Sequence, residues 1–319
     1  MTVEFPTRKG TLIAVDDVSF DLQPGEILGV VGESGAGKSM TGYAIIGLLD
    51  RPGRIAGGRI ELDGERIDNL PPEKMRRFRG RRIGAIFQDP LTSLNPLLRI
   101  SDQIIETIRT HMDMDERQAR ARTLELLNEV GIPAAAERMD EYPHQFSGGM
   151  RQRIVIALAL AANPQLIIAD EPTTALDVSI QAQIIRLLKR LCKDHDTAIM
   201  LITHDMGVIA EAADRVAVMY AGRIVELGPV RDVIKDAKHP YTKGLMDSIP
   251  AIGQDVRVLA QIKGAMPRLN AIPPGCSFNP RCPQAMDRCR VERPELITQG
   301  ASAVACWLFA EEEAGVGVA

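Results

Sequence analysis

The sequence is poor in aromatic residues, and its charges are nearly balanced. Aromatic side chains make up 4% of the residues, and the formal net charge is −4 at pH 7. Proteins that bind nucleic acid through a basic surface use many Lys and Arg side chains and stack bases on aromatic rings. The composition therefore argues against a nucleic-acid partner.

Long hydrophobic runs are also missing. The longest uninterrupted apolar run, Ile154 to Ala162, is less than half the roughly 20 residues that a membrane-spanning helix requires. The stretch from Met1 to Phe5 has neither the basic start nor the apolar segment of a secretory signal. We therefore expect no membrane span and a protein that stays in the cytosol or on its surfaces.

Cysteine is scarce, and four of the five cysteines follow residue 275. Clustered cysteines in a reducing compartment are more often ligands of a metal or cluster than partners in disulfides. The four are Cys276, Cys282, Cys289 and Cys306. Their spacing does not match the paired C-x-x-C of zinc ribbons. Four thiolates can hold a [4Fe–4S] cluster, and a proline follows Cys282 as in some ferredoxins. We predict a [4Fe–4S] cluster with a structural or regulatory role; Zn²⁺ and free or disulfide-bonded thiols are the alternatives.

The most informative stretch runs from Gly32 to Ser39 and matches the phosphate-binding pattern G-x-x-x-x-G-K-[ST]. A buried strand is predicted before it, over Ile27–Val31, and a helix after it, over Met40–Leu49. We expect Lys38 to reach the β- and γ-phosphates and the Ser39 hydroxyl to bind Mg²⁺. The residues predicted to hold the nucleotide are Gly32, Ser34, Gly35, Gly37, Lys38 and Ser39.

A second apolar strand is predicted over Leu166–Glu171, and it ends in two carboxylates. Beside a phosphate-binding loop, Asp170 is expected to hold Mg²⁺ and Glu171 to polarise the attacking water; a helix N-cap is the alternative role for such a pair. His204 follows a third predicted strand, Ala198–Thr203. Because ligands of open α/β sheets bind at the carboxyl ends of strands, His204 is a candidate donor to the γ-phosphate.

Two further candidates lie between these strands. Gln88 follows a strand predicted over Arg82–Phe87, and a neutral amide there can contact Mg²⁺ or water from a turn-rich loop. Ser147, Gly148 and Gly149 precede an apolar helix, which is a second helix start suited to a phosphate. Residues 100–141 carry helical periodicity and predict a helical insertion.

The remaining elements are predicted from periodicity and turn signals. They are a strand over Ala14–Leu22, an edge strand over Arg59–Gly64 with an Asp-Gly turn, a helix from Ser179 to about His195 with Cys192 in its apolar stripe, and a hairpin of Val216–Tyr220 and Arg223–Glu226.

In this order and spacing, the motifs resemble those of the ATP-binding subunits of ABC transporters over about residues 3–230. The resemblance identifies Gly32–Ser39 as the Walker A motif, Gln88 as the Q-loop glutamine and Ser147–Gln152 as the signature. Likewise, it identifies Leu166–Glu171 as Walker B, Ala175–Asp177 as the D-loop, with Asp177 at the nucleotide, and His204 as the switch histidine.

The resemblance narrows to the dipeptide and oligopeptide importers. Gln88–Pro96 and the downstream His239–Leu245 carry this narrower similarity. The start of Walker A and the C-terminal region are more similar to the first of the two ATPases that such systems encode than to the second. The aromatic residue that often stacks on adenine has no clear counterpart, because Lys9–Thr11 occupies the aligned stretch and Phe5 is a weak match.

The resemblance implies that this subunit and a second ATPase hold two ATP molecules between Walker A of one and the signature of the other. The second ATPase is expected to be a paralogue, and an identical chain is the alternative. The resemblance also implies two permease subunits and a periplasmic or extracellular substrate-binding protein, with the ATPases on the cytoplasmic face of a bacterial inner membrane. The function implied is ATP hydrolysis that powers peptide import, and some ATPases of this group carry an iron–sulfur cluster in this region. Alternatives are import of nickel complexes or glutathione, or a non-transport ABC ATPase.

The predicted fold is α/β, a P-loop NTPase of the ABC type with a helical insertion and a small cysteine-containing C-terminal domain. The predicted domains are residues 1–230 for the ATPase, with a helical subdomain at about 90–161, and residues 231–319 for the C-terminal extension of the oligopeptide-importer type.

Overall fold

The computed structural model describes residues 1–174, 176–248 and 261–310. The chain divides into two compact units. The first comprises Met1–Asp21, Leu28–Asn69 and Thr203–Ala319, and the second comprises Leu22–Ile27 and Leu70–Ile202. Within the described ranges, no helix combines the length and apolarity needed to cross a membrane.

The strands are numbered along the chain. They are β1 (Thr2–Thr7), β2 (Gly10–Val15), β3 (Ile27–Val31), β4 (Arg54–Gly57), β5 (Glu61–Leu62), β6 (Glu65–Arg66), β7 (Ile83–Ile86), β8 (Leu166–Asp170), β9 (Ala198–Thr203), β10 (Arg215–Tyr220), β11 (Arg223–Pro229), β12 (Ile297–Gln299) and β13 (Ser302–Val304).

The helices are numbered in the same way. They are α1 (Lys38–Ile45), α2 (Pro72–Phe78), α3 (Pro90–Ser93), α4 (Ile100–His111), α5 (Glu116–Glu129), α6 (Ala135–Arg138), α7 (Gly148–Leu160), α8 (Val178–Asp194), α9 (Met206–Ala212), α10 (Val230–Lys235), α11 (Pro240–Asp247) and α12 (Asp287–Val291), with 3₁₀ turns at Pro143–Gln145 and Asn279–Arg281.

In the first unit, five strands lie side by side in the order β12, β13, β11, β10 and β3. β10 runs parallel to β3 and antiparallel to β11. β3 is buried along its whole length, as is usual for a parallel strand covered on both faces. A smaller antiparallel sheet joins β2, β1 and β4, and β5 and β6 pair as a hairpin around Asp63 and Gly64. The predicted strand before Gly32 and the predicted Asp-Gly turn are confirmed.

In the second unit, β7, β8 and β9 form a parallel set, with β8 in the middle. Their sequences are almost continuously apolar, and β8 and β9 are fully buried. Helices α4, α5 and α7 pack against one another, and Ile104, Ile108 and Leu126 are buried between them. The helical insertion predicted at residues 100–141 is confirmed. Cys192, the predicted core cysteine of α8, is also buried.

Several predicted elements have different bounds in the structure. The strand predicted over Ala14–Leu22 is wrong, because β2 ends at Val15 and the backbone at Asp17 is left-handed, with φ of 52°. Val18 is buried while Ser19 and Asp21 are exposed, so the alternation reflects burial in a segment that is not a strand. The helix predicted over Met40–Leu49 begins at Lys38 and ends at Ile45, shortly before Gly47, whose φ is 64°.

The C-terminal region continues the sheet of the first unit. β13 pairs antiparallel with β11, with Val304 opposite Glu226, and β12 adds to β13. The rings of Tyr220, Tyr241 and Phe278 pack together with centroids 4.8–5.4 Å apart. The structure therefore shows this region as part of the first unit and does not show a separate small domain; the boundary at residue 230 stays a prediction.

A buried histidine lies at the start of α11. His239 is almost completely buried, and its Nδ1 accepts a hydrogen bond from the Tyr241 N–H at 3.1 Å. The backbone N–H of His239 donates to the carboxylate of Glu226 at 3.0 Å. Burial lowers the pKa of His239 to about 3 and raises the pKa of Glu226.

We expect His239→Asn to reduce the loss of folding stability that occurs when the pH is lowered. With an unfolded-state pKa of roughly 6.5, His239 binds a proton only when the chain unfolds. Its contribution to stability is therefore lost as the pH falls below 6.5, at about 1.4 kcal/mol per pH unit. Glu226 acts in the opposite direction, because its pKa is raised in the folded state. The stability that it contributes is lost as the pH rises above its unfolded-state pKa. The measurement is the urea-unfolding midpoint of both proteins at pH 7.0 and 5.5.

His144→Asn is the matched control, because His144 is exposed. An equal loss of stability on acidification in wild type and His239→Asn would contradict the assignment to His239.

Candidate functional site

The loop from Gly32 to Lys38 connects β3 to α1 in the first unit, and its backbone is closely packed. A Cβ at Gly32 would lie 2.3 Å from the carbonyl oxygen of Met219, and one at Gly37 would lie 2.9 Å from that of Ala14. Gly37 also has a φ of 98°. Glycine is therefore required at both positions, and the loop leads straight into the positive end of α1.

Lys38 is the first residue of α1, and its side chain turns back over the loop. Only 7% of the residue is exposed. Its ammonium donates to the carbonyl oxygens of Gly32, at 2.7 Å, and Glu33, at 3.1 Å. Ser39 follows and is half-buried, whereas Ser34 and Gly35 are exposed. The charge of Lys38 is thus held directly beside the loop backbone.

His204 also lies in the first unit, immediately after β9. Its side chain is exposed. The next residue, Asp205, caps α9 by accepting hydrogen bonds from the N–H groups of Gly207, at 2.7 Å, and Val208, at 3.3 Å. This cap fixes the backbone beside His204.

The two carboxylates lie at the end of β8 in the second unit. Asp170 is 4% exposed. Glu171 has a left-handed backbone, with φ of 51°, and its N–H donates to the carbonyl of Ile202 at 2.9 Å. The hydroxyl of Thr174 donates to Glu171 Oε2 at 3.1 Å. A residue held in this sparsely populated conformation is typical of functional positions.

Gln88 comes after β7, the strand beside β8. The two strands are parallel, with Ile86 opposite Ala169. Gln88 and Glu171 are therefore carried to the same edge of the second unit's strands. Gln88 is exposed, and the carbonyl of Asp89 accepts hydrogen bonds from the hydroxyls of Thr92, at 2.9 Å, and Ser93, at 3.1 Å. These bonds shape the turn that follows the glutamine.

The Ser-Gly-Gly stretch begins α7, as predicted. Ser147 is the N-cap, and its hydroxyl accepts from the Met150 N–H at 3.3 Å. A Cβ at Gly149 would lie 2.8 Å from Ile180 Cγ2, so glycine here permits α7 to approach α8 closely. Asp177 precedes α8 as its N-cap and is exposed. Ala175, predicted as part of the D-loop, lies outside the described residues.

The four C-terminal cysteines are brought near one another, but they are not arranged as a metal site. Burial raises the pKa of the Cys276 and Cys282 thiols, and it raises the pKa of Cys306 to about 11; the other three thiols add to the Cys306 shift. Over the described parts of the chain, no group of three or more His, Cys, Asp or Glu side chains could hold a metal ion. The predicted [4Fe–4S] cluster and its Zn²⁺ alternative are thus not supported.

A different set of contacts holds the C-terminal region in place. β12 and β13 extend the sheet, and the Tyr220, Tyr241 and Phe278 rings pack together. These contacts attach the C-terminal region to the sheet of the first unit.

One residue that contacts the candidate base, Thr174, was not among the site residues predicted from the sequence. Thr174 holds the Glu171 carboxylate through its hydroxyl. A hydroxyl three residues after a candidate base is a usable sequence signal, because a turn brings those side chains together.

Two family models match the chain. Residues 15–174 match the family described as "ABC transporter", and residues 225–289 match "Oligopeptide/dipeptide transporter, C-terminal region". The second match covers the stretch from β11 through Cys289.

Similar proteins share nearly half of their residues with this chain. The oligopeptide transport ATP-binding protein AppD of Bacillus subtilis is 48% identical, over 97% of this chain and 95% of that protein. The dipeptide transport ATP-binding protein DppD of Escherichia coli is 47% identical, over 93% and 90%. Among solved structures, the dimeric post-hydrolysis state of the ATP-binding cassette MJ0796 with ADP and Pi is 28% identical with a TM-score of 0.64, covering 72% of this chain and 96% of that one.

Proposed function

The chain belongs to the ABC transporter family, and we propose from this premise that it is the subunit that binds and hydrolyses ATP to power a peptide importer. The observation that carries the proposal is the loop from Gly32 to Lys38, with its packed glycines and its buried lysine at the start of α1. ATP hydrolysis coupled to transport is the activity of this family of peptide transporters.

The proposed chemistry is divided among the motif residues. The loop N–H groups and Lys38 bind the phosphates, and His204 donates to the γ-phosphate. Glu171 accepts a proton from the attacking water. Oxygen atoms of Ser39, Gln88 and Asp170 are the type of ligand that Mg²⁺ takes, and the ion neutralises phosphate charge when it is bound.

The subunit is proposed to work in a pair. Ser147, Gly148, Gly149 and Asp177 face the ATP held by the Walker A loop of a second ATPase, in keeping with the dimeric cassette among the structural neighbours. We propose that the second ATPase is a paralogue. The remaining partners are two permeases and a substrate-binding protein outside the membrane, and the ATPase pair binds peripherally at the cytoplasmic face.

The permeases are proposed to dock beside the Gln88 loop. A groove of about 510 Å³ in the second unit is lined by Ser93, Leu94, Pro96 and Gln103 among others. Leu97, next to it, is 83% exposed. An exposed leucine at the rim of a groove is suited to a protein partner.

We expect Leu97→Asp to reduce transport-coupled ATPase activity about tenfold, because a buried apolar anchor contributes strongly to a protein interface. ATP binding by the isolated chain should be unchanged. The measurement is ATPase activity of the assembled transporter with its binding protein, alongside nucleotide titration of the chain alone.

Val291→Asp is the control, since Val291 is an equally apolar residue that is 73% exposed in the C-terminal region. If both variants behave as wild type in the assembled transporter, the docking assignment is wrong.

The experiment that tests the function as a whole is reconstitution with the co-encoded subunits and separate binding proteins. ATPase stimulation by peptide-loaded binding protein supports peptide import. Stimulation only by binding protein loaded with nickel complexes or glutathione would identify one of those compounds as the cargo. ATPase activity that does not depend on any permease would favour a non-transport ATPase.

No step of the proposed function passes through the C-terminal cysteines. Iron and sulfide analysis of the chain purified without oxygen, with Cys282→Ser for comparison, is the measurement that would reinstate a cluster there.

A further inference from the structure

We propose that Arg281 of the C-terminal region is a positioning residue for the phosphate-binding loop and that it acts by neutralising Glu33. The inference rests on the proposed function, because it assigns Glu33 a place beside bound ATP. It goes beyond that function by giving the C-terminal region a role in nucleotide affinity.

The contact between the two side chains is bidentate. Arg281 Nη1 lies 2.6 Å from Glu33 Oε2, and Arg281 Nη2 lies 2.9 Å from Glu33 Oε1. The Arg281 side chain is 5% exposed and that of Glu33 is 32% exposed. This paired geometry gives the strongest kind of charged hydrogen bond between side chains.

Arg281 is itself held from several sides. Its Nε donates to the Lys263 carbonyl at 2.9 Å, and its Nη2 donates to the Ile262 carbonyl at 3.3 Å. The guanidinium also lies near the rings of Tyr220 and Phe278. The Glu33 carboxylate raises the pKa of Arg281 further, so the charge on this side chain is permanent.

Glu33 is also held through both of its backbone polar groups. Its N–H donates to the buried Tyr241 hydroxyl at 2.8 Å. Its carbonyl accepts from the Lys38 ammonium at 3.1 Å. A continuous path of hydrogen bonds therefore runs from Arg281 through Glu33 to Lys38. Met266 lies beside the same loop, since a Cβ added at Gly35 would come within 3.8 Å of Met266 Cγ.

The charges explain why this arrangement matters for ATP. A carboxylate in the phosphate-binding loop repels the triphosphate, and a paired guanidinium cancels that repulsion. Without Arg281, Glu33 would present an uncompensated negative charge to the ligand. The loss would therefore appear in nucleotide affinity and KM, with a smaller effect on kcat.

The test compares four forms of the full-length chain by titration with ATP. They are wild type, Arg281→Gln, Glu33→Gln and the double variant. We expect Arg281→Gln to raise the Kd for ATP about tenfold. Glu33→Gln leaves the guanidinium unpaired beside the loop, so its Kd should fall below the wild-type value. The double variant should return to the wild-type Kd, because the pair is again without net charge. The deficit of Arg281→Gln should also shrink at high salt.

Arg288→Gln is the matched control in the same region. Arg288 of α12 pairs with Glu292, the residue that follows the helix, and both side chains are exposed. Its loss should not change the Kd. If Arg281→Gln is too unstable to titrate, Arg281→Lys replaces it, and an intermediate Kd is expected because a lysine cannot form the bidentate pair.

The outcomes separate the inference from the proposed function. Failure of the wild-type chain to bind ATP would overturn the function. Wild-type binding together with an unchanged Kd in the Arg281 variant would overturn the inference alone. The inference would also be overturned if Arg281→Gln raised the Kd and the double variant did not restore it. That result would mean that Arg281 only packs against the loop.

Discussion

Glu171→Gln is expected to lower ATP turnover at least about 100-fold, as removal of a general base does, while ATP affinity is retained. The amide has the shape of the carboxylate and can still accept the hydrogen bond that the Thr174 hydroxyl donates to Glu171 Oε2. What it lacks is the basicity to take a proton from water. The measurements are steady-state ATPase activity of the assembled transporter and nucleotide titration of the isolated chain.

The control is Glu125→Gln, which removes an exposed carboxylate of α5 that pairs with Arg122. It should leave both quantities unchanged. Unchanged ATPase activity in the Glu171→Gln transporter would contradict the proposed role of Glu171 as the general base.

Lys38→Met is expected to weaken ATP binding by about 100-fold, because charge-assisted hydrogen bonds to phosphate are among the strongest in proteins. Methionine has a similar length but no charge and no donor. The substitution removes the ammonium that now bridges the carbonyls of Gly32 and Glu33. Titration with a fluorescent ATP analogue measures the loss of affinity, and ATPase activity should fall with it.

Lys189→Met serves as the comparison, because Lys189 is an exposed lysine of α8. Wild-type affinity in Lys38→Met would show that the loop binds nucleotide without this side chain, against the proposed site.

The parts of the structure that follow from local pattern were predictable from sequence. β3, β8 and β9 are continuous apolar runs, and such runs indicate strands buried on both faces. The phosphate-binding loop was equally predictable, since a glycine pattern between a strand and a helix has one favoured geometry. The places of Gln88, Asp170 and Glu171 follow from their positions at strand ends.

Long-range contacts were not predictable in this way. Periodicity does not reveal that β13, about 75 residues farther along the chain, pairs with β11, because pairing depends on how the intervening chain folds. The pairing of Arg281 with Glu33 joins residues far apart in sequence for the same reason. The strand predicted over Ala14–Leu22 failed on a local detail, the left-handed backbone at Asp17.

The addition of β13 and β12 also bears on how the protein avoids self-association. β13 pairs with Glu226 and Leu227 in the middle of β11, so without β13 this part of the strand would be an open sheet edge. Exposed edges of this kind recruit strands from other chains and start aggregation. The outermost strand is instead β12, which has only three residues. Shortening of the chain before β13 would therefore endanger solubility before it affected the chemistry of ATP.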